Sequence, residues 1–266
     1  KLCDYAGNYF NLGYFHNKRN NFFNKRVFRK EAMKSILPLK IDRVWFKNAG
    51  EILLENINLR IEKGLPKILM GANGSGKTLL MRVAHGLLMP TQGEVTWADD
   101  KKSFGSVRQT MVFQKPIMLK RTVKENLLFA LNAIENDRAI KEQLVQKALS
   151  EVNLSHKADA YAPTLSQGEQ QKLAIIRACL LKPEVLFLDE PTSNIDPHYT
   201  REIESLIRDI SNQGAQIIMA THNIDQAKRL NGEILFMKKG RLIDNRNANE
   251  FFSYIKDPHI SEFLTF

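Results

Sequence analysis

Lys67-Ile68-Leu69-Met70, followed without a break by Gly71-Ala72-Asn73-Gly74-Ser75-Gly76-Lys77-Thr78, is the stretch that decides the fold. The run at 67–70 has the length of a short buried strand, and Thr78 to Leu88 reads as a helix that stops short of Pro90. Between them the eight residues match G-x-x-x-x-G-K-[ST] in the strand, loop and helix setting that the pattern requires. Glycines at these spacings let backbone N–H groups converge on an anion, and the helix N-terminus adds a favourable dipole. Gly71, Ala72, Asn73, Gly74, Ser75, Gly76, Lys77 and Thr78 are therefore candidate binders of the phosphates of ATP. Lys77 would neutralise the β- and γ-phosphates, and Thr78 would offer its hydroxyl to Mg²⁺.

Working outward, Val185-Leu186-Phe187-Leu188 is an apolar strand that ends in Asp189-Glu190. A buried strand can deliver carboxylates rigidly to its C-terminal end beside a phosphate loop. Asp189 is the expected Mg²⁺ partner. Glu190 is the expected general base for an attacking water, because a second carboxylate beside the first is otherwise costly repulsion. Ile217 to Ala220 is a second four-residue apolar strand, so the core reads as a mainly parallel sheet. Before the loop, LKIDRVWF and ILLENINLRI are strands split by Asn48-Ala49-Gly50, which predicts an antiparallel layer. Residues 122–162 carry helical spacing, with Leu127, Leu128, Leu131 and Ile134 on one stripe and Leu144, Ala148 and Val152 on another. Near the end, Ile234 to Met237 and Leu242 to Ile243 flank Lys238-Lys239-Gly240-Arg241, a hairpin signal. The fold class is α/β: a P-loop NTPase core with a mainly parallel sheet, an antiparallel β layer and an α-helical insert at about 115–180.

With these motifs in place, the chain resembles the ATP-binding cassette family from about Leu39 to the C-terminus. Leu165-Ser166-Gln167-Gly168-Glu169-Gln170 is similar to the family's LSGGQ signature, which caps the γ-phosphate bound to the opposite subunit. The resemblance gives Ser166 and Gly168 that task and implies a homodimer in which each site borrows its signature from the partner. Gln114 matches the loop glutamine that touches Mg²⁺ and reports the nucleotide state to a membrane partner. His222 matches the switch histidine on the γ-phosphate, and Asp196 the loop that crosses the dimer interface. Lys77, Gln114, Glu190 and His222 form the expected catalytic set; Thr78, Gln114 and Asp189 form the metal set. Three positions depart from the family pattern. Gln167 stands for glycine, Glu169 for glutamine, and Asn48 where an aromatic ring stacks on adenine, with Trp45 and Phe46 as alternatives for that ring or as core residues of their strand.

Composition narrows the role. The chain has 266 residues, 43% hydrophobic, and no apolar run of the roughly 18 to 20 residues that a bilayer-spanning helix needs. The net charge of +10 is lopsided, because residues 1–40 hold nine Lys and Arg against Asp4 and Glu31. Residues 1–38 read as a basic, Asn-rich extension that is solvated and poorly ordered, with residues 1–30 dispensable for ATP hydrolysis, and 39–266 as the cassette domain. The two cysteines, Cys3 and Cys179, read as free thiols. A single cassette without membrane spans resembles the separate ATPases of importers, working at the cytoplasmic face of the cell membrane with integral permease subunits and an extracytoplasmic substrate-binding protein. Met111 to Val123 and Asp225 to Leu230 are most similar to the ATPases of tungstate importers; molybdate, phosphate and amino-acid importers have similar cassettes. A nucleic-acid-associated cassette is the rival reading, motivated by a pI near 9.5 and the basic extension, although no nucleic acid partner is expected.

Overall fold

The computed structural model describes residues 34–98, 108–253 and 258–264. The extension at 1–33, with Cys3, lies outside the described residues. Among the described residues, nine strands form two sheets. In the first, β1 (Leu39–Asn48) lies between β2 (Glu51–Ile61) and β4 (Gln92–Trp97), all antiparallel. This is the expected antiparallel layer, with β4 as a strand that no sequence signal announced. The second sheet has the order β5 (Gln109–Val112), β6 (Val185–Asp189), β7 (Gln216–Ala220), β3 (Lys67–Met70), β8 (Glu233–Lys238), β9 (Arg241–Asn247). It is parallel except for β9, which returns antiparallel on β8 as the hairpin signal predicts.

Side chains alternate across a strand, so each central strand serves two cores. Val185 and Phe187 of β6 face a core shared with β1, β2 and α1 (Lys77–His85); Leu186 and Leu188 face the core of the helical side. Every residue of β3, β6 and β7 is buried, which is why these strands read as continuous apolar runs without alternation. Phe187 is fully buried between His85 and Trp97, an environment that stabilises the fold by about 2–3 kcal/mol.

The helical side holds α2 (Val123–Leu131), α3 (Arg138–Glu151) and α4 (Gln167–Leu180), followed by α5 (Pro197–Asn212) and α6 (Ile224–Leu230). Short helices α7 (Ala248–Ser253) and α8 (Pro258–Leu264) end the described chain. Thr122 and Glu125 form a reciprocal capping box that starts α2, and Asp137 caps α3, so the two stripes read in 122–162 belong to two separate helices. Of the second stripe, Ala148 and Val152 are buried as expected, joined by Val145 and Leu149, while Leu144 only flanks the core. Helix α1 ends at His85, earlier than the expected Leu88, because Gly86 adopts φ 90° and its N–H closes onto Val83. Cys179 is buried in α4, and burial pushes its thiol well above the usual range.

Packing begins before Leu39. Ile36 and Leu37 are buried, and the Ile36 carbonyl accepts from Ala98. Their anchor is Glu184, just ahead of β6, which accepts from Ser35 Oγ at 3.1 Å, Ile36 N at 3.0 Å and Arg108 Nε at 3.0 Å. Burial alone would raise the Glu184 carboxyl; Arg108, the Ile36 N–H and Ser35 outweigh it and hold it below the usual carboxylate range. A depressed folded-state value means that this stability is present above the ordinary carboxylate range and is lost as pH falls through the lowered value. Glu184→Ala is expected to cost about 2–3 kcal/mol in denaturant unfolding near neutral pH, with the difference from the parent narrowing below pH 4. A flat difference across that pH range would remove Glu184 from this role.

Candidate active site

Strands β3, β6 and β7 are neighbours, and the loops at their C-terminal ends meet at one edge of the sheet. Gly71 leaves β3 where a side chain cannot fit: a Cβ there would stand 2.2 Å from the Met237 carbonyl of β8. The hairpin tip supports the same loop, Gly240 N donating to Ser75 O at 3.0 Å. Helix α1 then starts behind Gly76 without any side-chain cap, whereas α2 to α6 are capped by Thr122, Asp137, Ser166, Asp196 and Asn223. Its first-turn N–H groups thus lack a side-chain acceptor, as an anion-binding helix start requires.

Lys77 points back into its own loop, donating to the carbonyls of Gly71 at 2.8 Å and Ala72 at 3.0 Å, and stands 3.9 Å from Glu190 Oε1. Its burial lowers the ammonium pKa, against the attraction of Glu190 and Asp189. Thr78 Oγ1 donates to Asp189 Oδ1 at 2.8 Å. Burial raises the Asp189 carboxyl; the Thr78 bond opposes that rise and the neighbouring Glu190 charge adds to it. A hydroxyl and a buried carboxylate held this close are the hard oxygen donors that Mg²⁺ takes together with phosphate oxygens. Among the described residues, no group of three or more His, Cys, Asp or Glu stands together as a metal site.

Glu190 follows β6 directly in the left-handed region, φ 45°, with its N–H on Ala220 O at 3.0 Å. A non-glycine residue there stores strain of order 1–3 kcal/mol, of the kind concentrated at functional sites. The turn aims its carboxylate at His222, whose Nδ1 is 2.7 Å from Oε2. The structure thus brings together Lys77, Thr78, Asp189, Glu190 and His222.

The other candidates sit around this group. Gln114 Nε2 donates to Ser193 Oγ at 3.1 Å, on the loop after Glu190. Ser166 caps α4 through a capping box with Glu169, which also pairs with Lys157 at 2.6 Å. The glutamate that departs from the signature pattern therefore has a structural task. Gly168 is needed for packing as well: a Cβ would stand 2.6 Å from the Tyr199 ring. Asp196 caps α5, accepting from His198 N at 2.8 Å. Asn48 is exposed at the hairpin turn. Phe46 packs against the core, while Trp45 lines a shallow cleft with Asp42, Arg43, Asn56 and Gln92, a cleft to which the phosphate loop does not contribute. Sequence reasoning gave no role to Ser193 or Tyr199. Ser193 lies three residues after Glu190, between the carboxylate strand and Asp196, and Tyr199 carried no signal.

A cavity of about 670 Å³ adjoins the loop, between Ala72 to Ser75, His222 to Asp225, Phe236 to Lys239, and Glu262 and Phe263 of α8. It lacks Lys77, Thr78, Asp189 and Glu190, so it borders the phosphate site without containing it.

The ABC transporter family model matches residues 54–193. The chain is 37% identical over 194 residues to the tungstate uptake system ATP-binding protein TupC of Peptoclostridium acidaminophilum, covering 73% of this chain and 91% of that protein. It is 32% identical over 233 residues to the L-cystine import ATP-binding protein TcyC of Bacillus subtilis, covering 82% and 94%. Its fold matches that of cbiO1 of Clostridium perfringens, part of an ABC transporter complex, with TM-score 0.73 and 27% identity over 88% of this chain and 100% of that one. A family match over more than half of the chain, on a fold that gathers the matched motifs at one sheet edge, means that this chain belongs to the ABC transporter family and is one of its ATP-hydrolysing subunits.

Proposed function

We propose that the chain powers an importer for tungstate or a related oxyanion, working as a nucleotide-sandwich homodimer on a separate permease at the cytoplasmic face of the membrane. The observation that carries the hydrolytic part is the Lys77, Thr78, Asp189, Glu190 and His222 cluster at the uncapped start of α1. Lys77 exchanges the Gly71 and Ala72 carbonyls for the β- and γ-phosphates. Thr78 and Asp189 would hold Mg²⁺, with Gln114 beside them on its loop, and the ion would supply neutralisation of the charge that builds on the phosphates. Glu190 accepts a proton from water as the water oxygen bonds to the γ-phosphorus and the bond from that phosphorus to the β-phosphate oxygen breaks. His222 fixes the carboxylate and faces the γ-phosphate. The second subunit contributes Ser166 and Gly168, and Asp196 lies on the loop that meets it. Two-fold symmetry makes this exchange reciprocal, so ATP that binds the closed pair better favours closure.

Importer function is supported by the import ATP-binding proteins among the relatives and by the absence, among the described residues, of any helix long and apolar enough to cross a membrane. An exposed apolar patch offers a permease a landing surface. Ile117, Phe129 and Tyr161 are exposed large apolar residues around the Gln114 loop, with Arg121 over the Phe129 ring and Thr122 bridged to Tyr161. Tungstate is favoured over amino acids by the higher identity to the tungstate uptake protein. A substrate-binding protein outside the membrane would make that selection.

Three outcomes test this. Lys77→Ala should lose ATP binding by calorimetry, since an uncompensated triphosphate would face the loop; unchanged affinity would refute its phosphate role. Glu190→Gln should bind ATP, hydrolyse it at least about two orders of magnitude more slowly, and dimerise with Mg-ATP but not ADP in sedimentation. Wild-type turnover would remove Glu190 as the base. In membranes, the chain should copurify with a multi-span permease whose ATPase is stimulated by a tungstate-loaded binding protein. Stimulation by an amino acid instead would keep the importer and discard the oxyanion.

A further inference from the structure

Ser193 accepts hydrogen bonds from two distant parts of the chain on two different atoms. Gln114 Nε2 donates to its hydroxyl at 3.1 Å, and Gln167 Nε2 donates to its backbone carbonyl at 3.3 Å. Ser193 is itself fixed to the residue that carries the catalytic carboxylate, its N–H donating to Glu190 O at 3.1 Å. One serine therefore joins the loop after β5, the turn after β6 and the first residue of α4. Gln167 is also the position where this chain departs from the glycine of the signature pattern. A glycine there would have no side chain to reach Ser193.

The rest of the α4 start is held elsewhere. Gly168 packs under Tyr199, Lys172 pairs with Glu202 at 2.7 Å, and Glu169 pairs with Lys157. These contacts tie α4 to α5 and to the turn at 155–157, and none reaches the Glu190 turn. Gln167 makes that link. The Gln114 bond has a second consequence: donation through Nε2 leaves its amide oxygen as the acceptor that can turn toward a cation.

We propose that Gln167 is a positioning residue, which with Gln114 clasps Ser193 and so sets the signature end of α4 and the Gln114 amide in register with the turn that carries Glu190. The inference rests on the ATPase reading above and extends it. In this chain the signature's orientation is transmitted to its own catalytic turn as well as presented to the partner's nucleotide. Ser193 is the shared point, so disturbing either glutamine disturbs the other's anchor.

Hydrogen exchange on the nucleotide-free full-length chain tests the clasp without any nucleotide. Bonds of this kind shift a local opening equilibrium by a factor of about two to ten. Gln167→Ala is expected to speed exchange about threefold or more at amides of 192–196 and of 113–115, as well as at the α4 start. Gln167→Arg, which keeps a long donor, is expected to restore both distant segments. Acceleration confined to 166–170 would mean only a local effect on the helix start and would overturn the proposal. In the Glu190→Gln background, Gln167→Ala should weaken Mg-ATP-driven dimerisation about threefold to tenfold while ATP affinity of the single chain is unchanged. Unaltered dimerisation would overturn the positioning role. Failure of the ATPase reading would appear separately, as a Glu190→Gln parent that does not dimerise with Mg-ATP at all.

Discussion

Strand β6 is sealed on both faces, with Val185 and Phe187 in one core and Leu186 and Leu188 in the other, and everything at the site depends on that sealing. A strand with no exposed face has one place for polar side chains, its end. Asp189 and Glu190 sit there, next to β7 and one strand from β3, whose own end turns into the phosphate loop. Packing density leaves these ends little freedom, so the carboxylates, Lys77 and Thr78 are positioned by the core more than by one another.

The charges gathered there are compensated internally. Lys77 spends its donors on two loop carbonyls, Asp189 takes the Thr78 hydroxyl, and Glu190 takes His222. Each partner is one that a nucleotide, its metal or an attacking water can replace. The arrangement tolerates a strained φ at Glu190 and an uncapped helix start at Gly76, features that serve stability poorly and suit ligand exchange.

The helical side follows a different rule. Its helices are punctuated by strong local caps at Thr122, Asp137 and Ser166, each worth about 1 kcal/mol, and joined by contacts between distant segments. Ser166 and Glu169 close the cap at the α4 start, while Gln167 and Gly168 between them face the Ser193 loop and Tyr199. Thus the signature segment is a helix start whose consecutive residues serve different neighbours.

The sequence by itself determined the phosphate loop, the carboxylate strand, the antiparallel hairpin and the order of motifs, because each is a local pattern: a glycine spacing, an apolar run, a turn dipeptide. It also marked Glu169 and Gln167 as departures without saying what they do. Strands β4 and β5 were missed, since QGEVTW and QTMV are short and carry weak apolar patterns that only pairing with β1 and β6 makes into strands. The break before Asp137 was decided by capping, and the burial of Val145 and Leu149 ahead of Leu144 by which face of α3 meets α2 and α4. The entry of Ile36 and Leu37 into the core depended on Glu184, about 150 residues away in the chain. Only the tertiary structure placed Glu190 against His222, Thr78 against Asp189, and Gln114 and Gln167 on one serine. Those pairs are separated by tens of residues or more, and no local propensity encodes a contact whose geometry is set by which strands lie side by side.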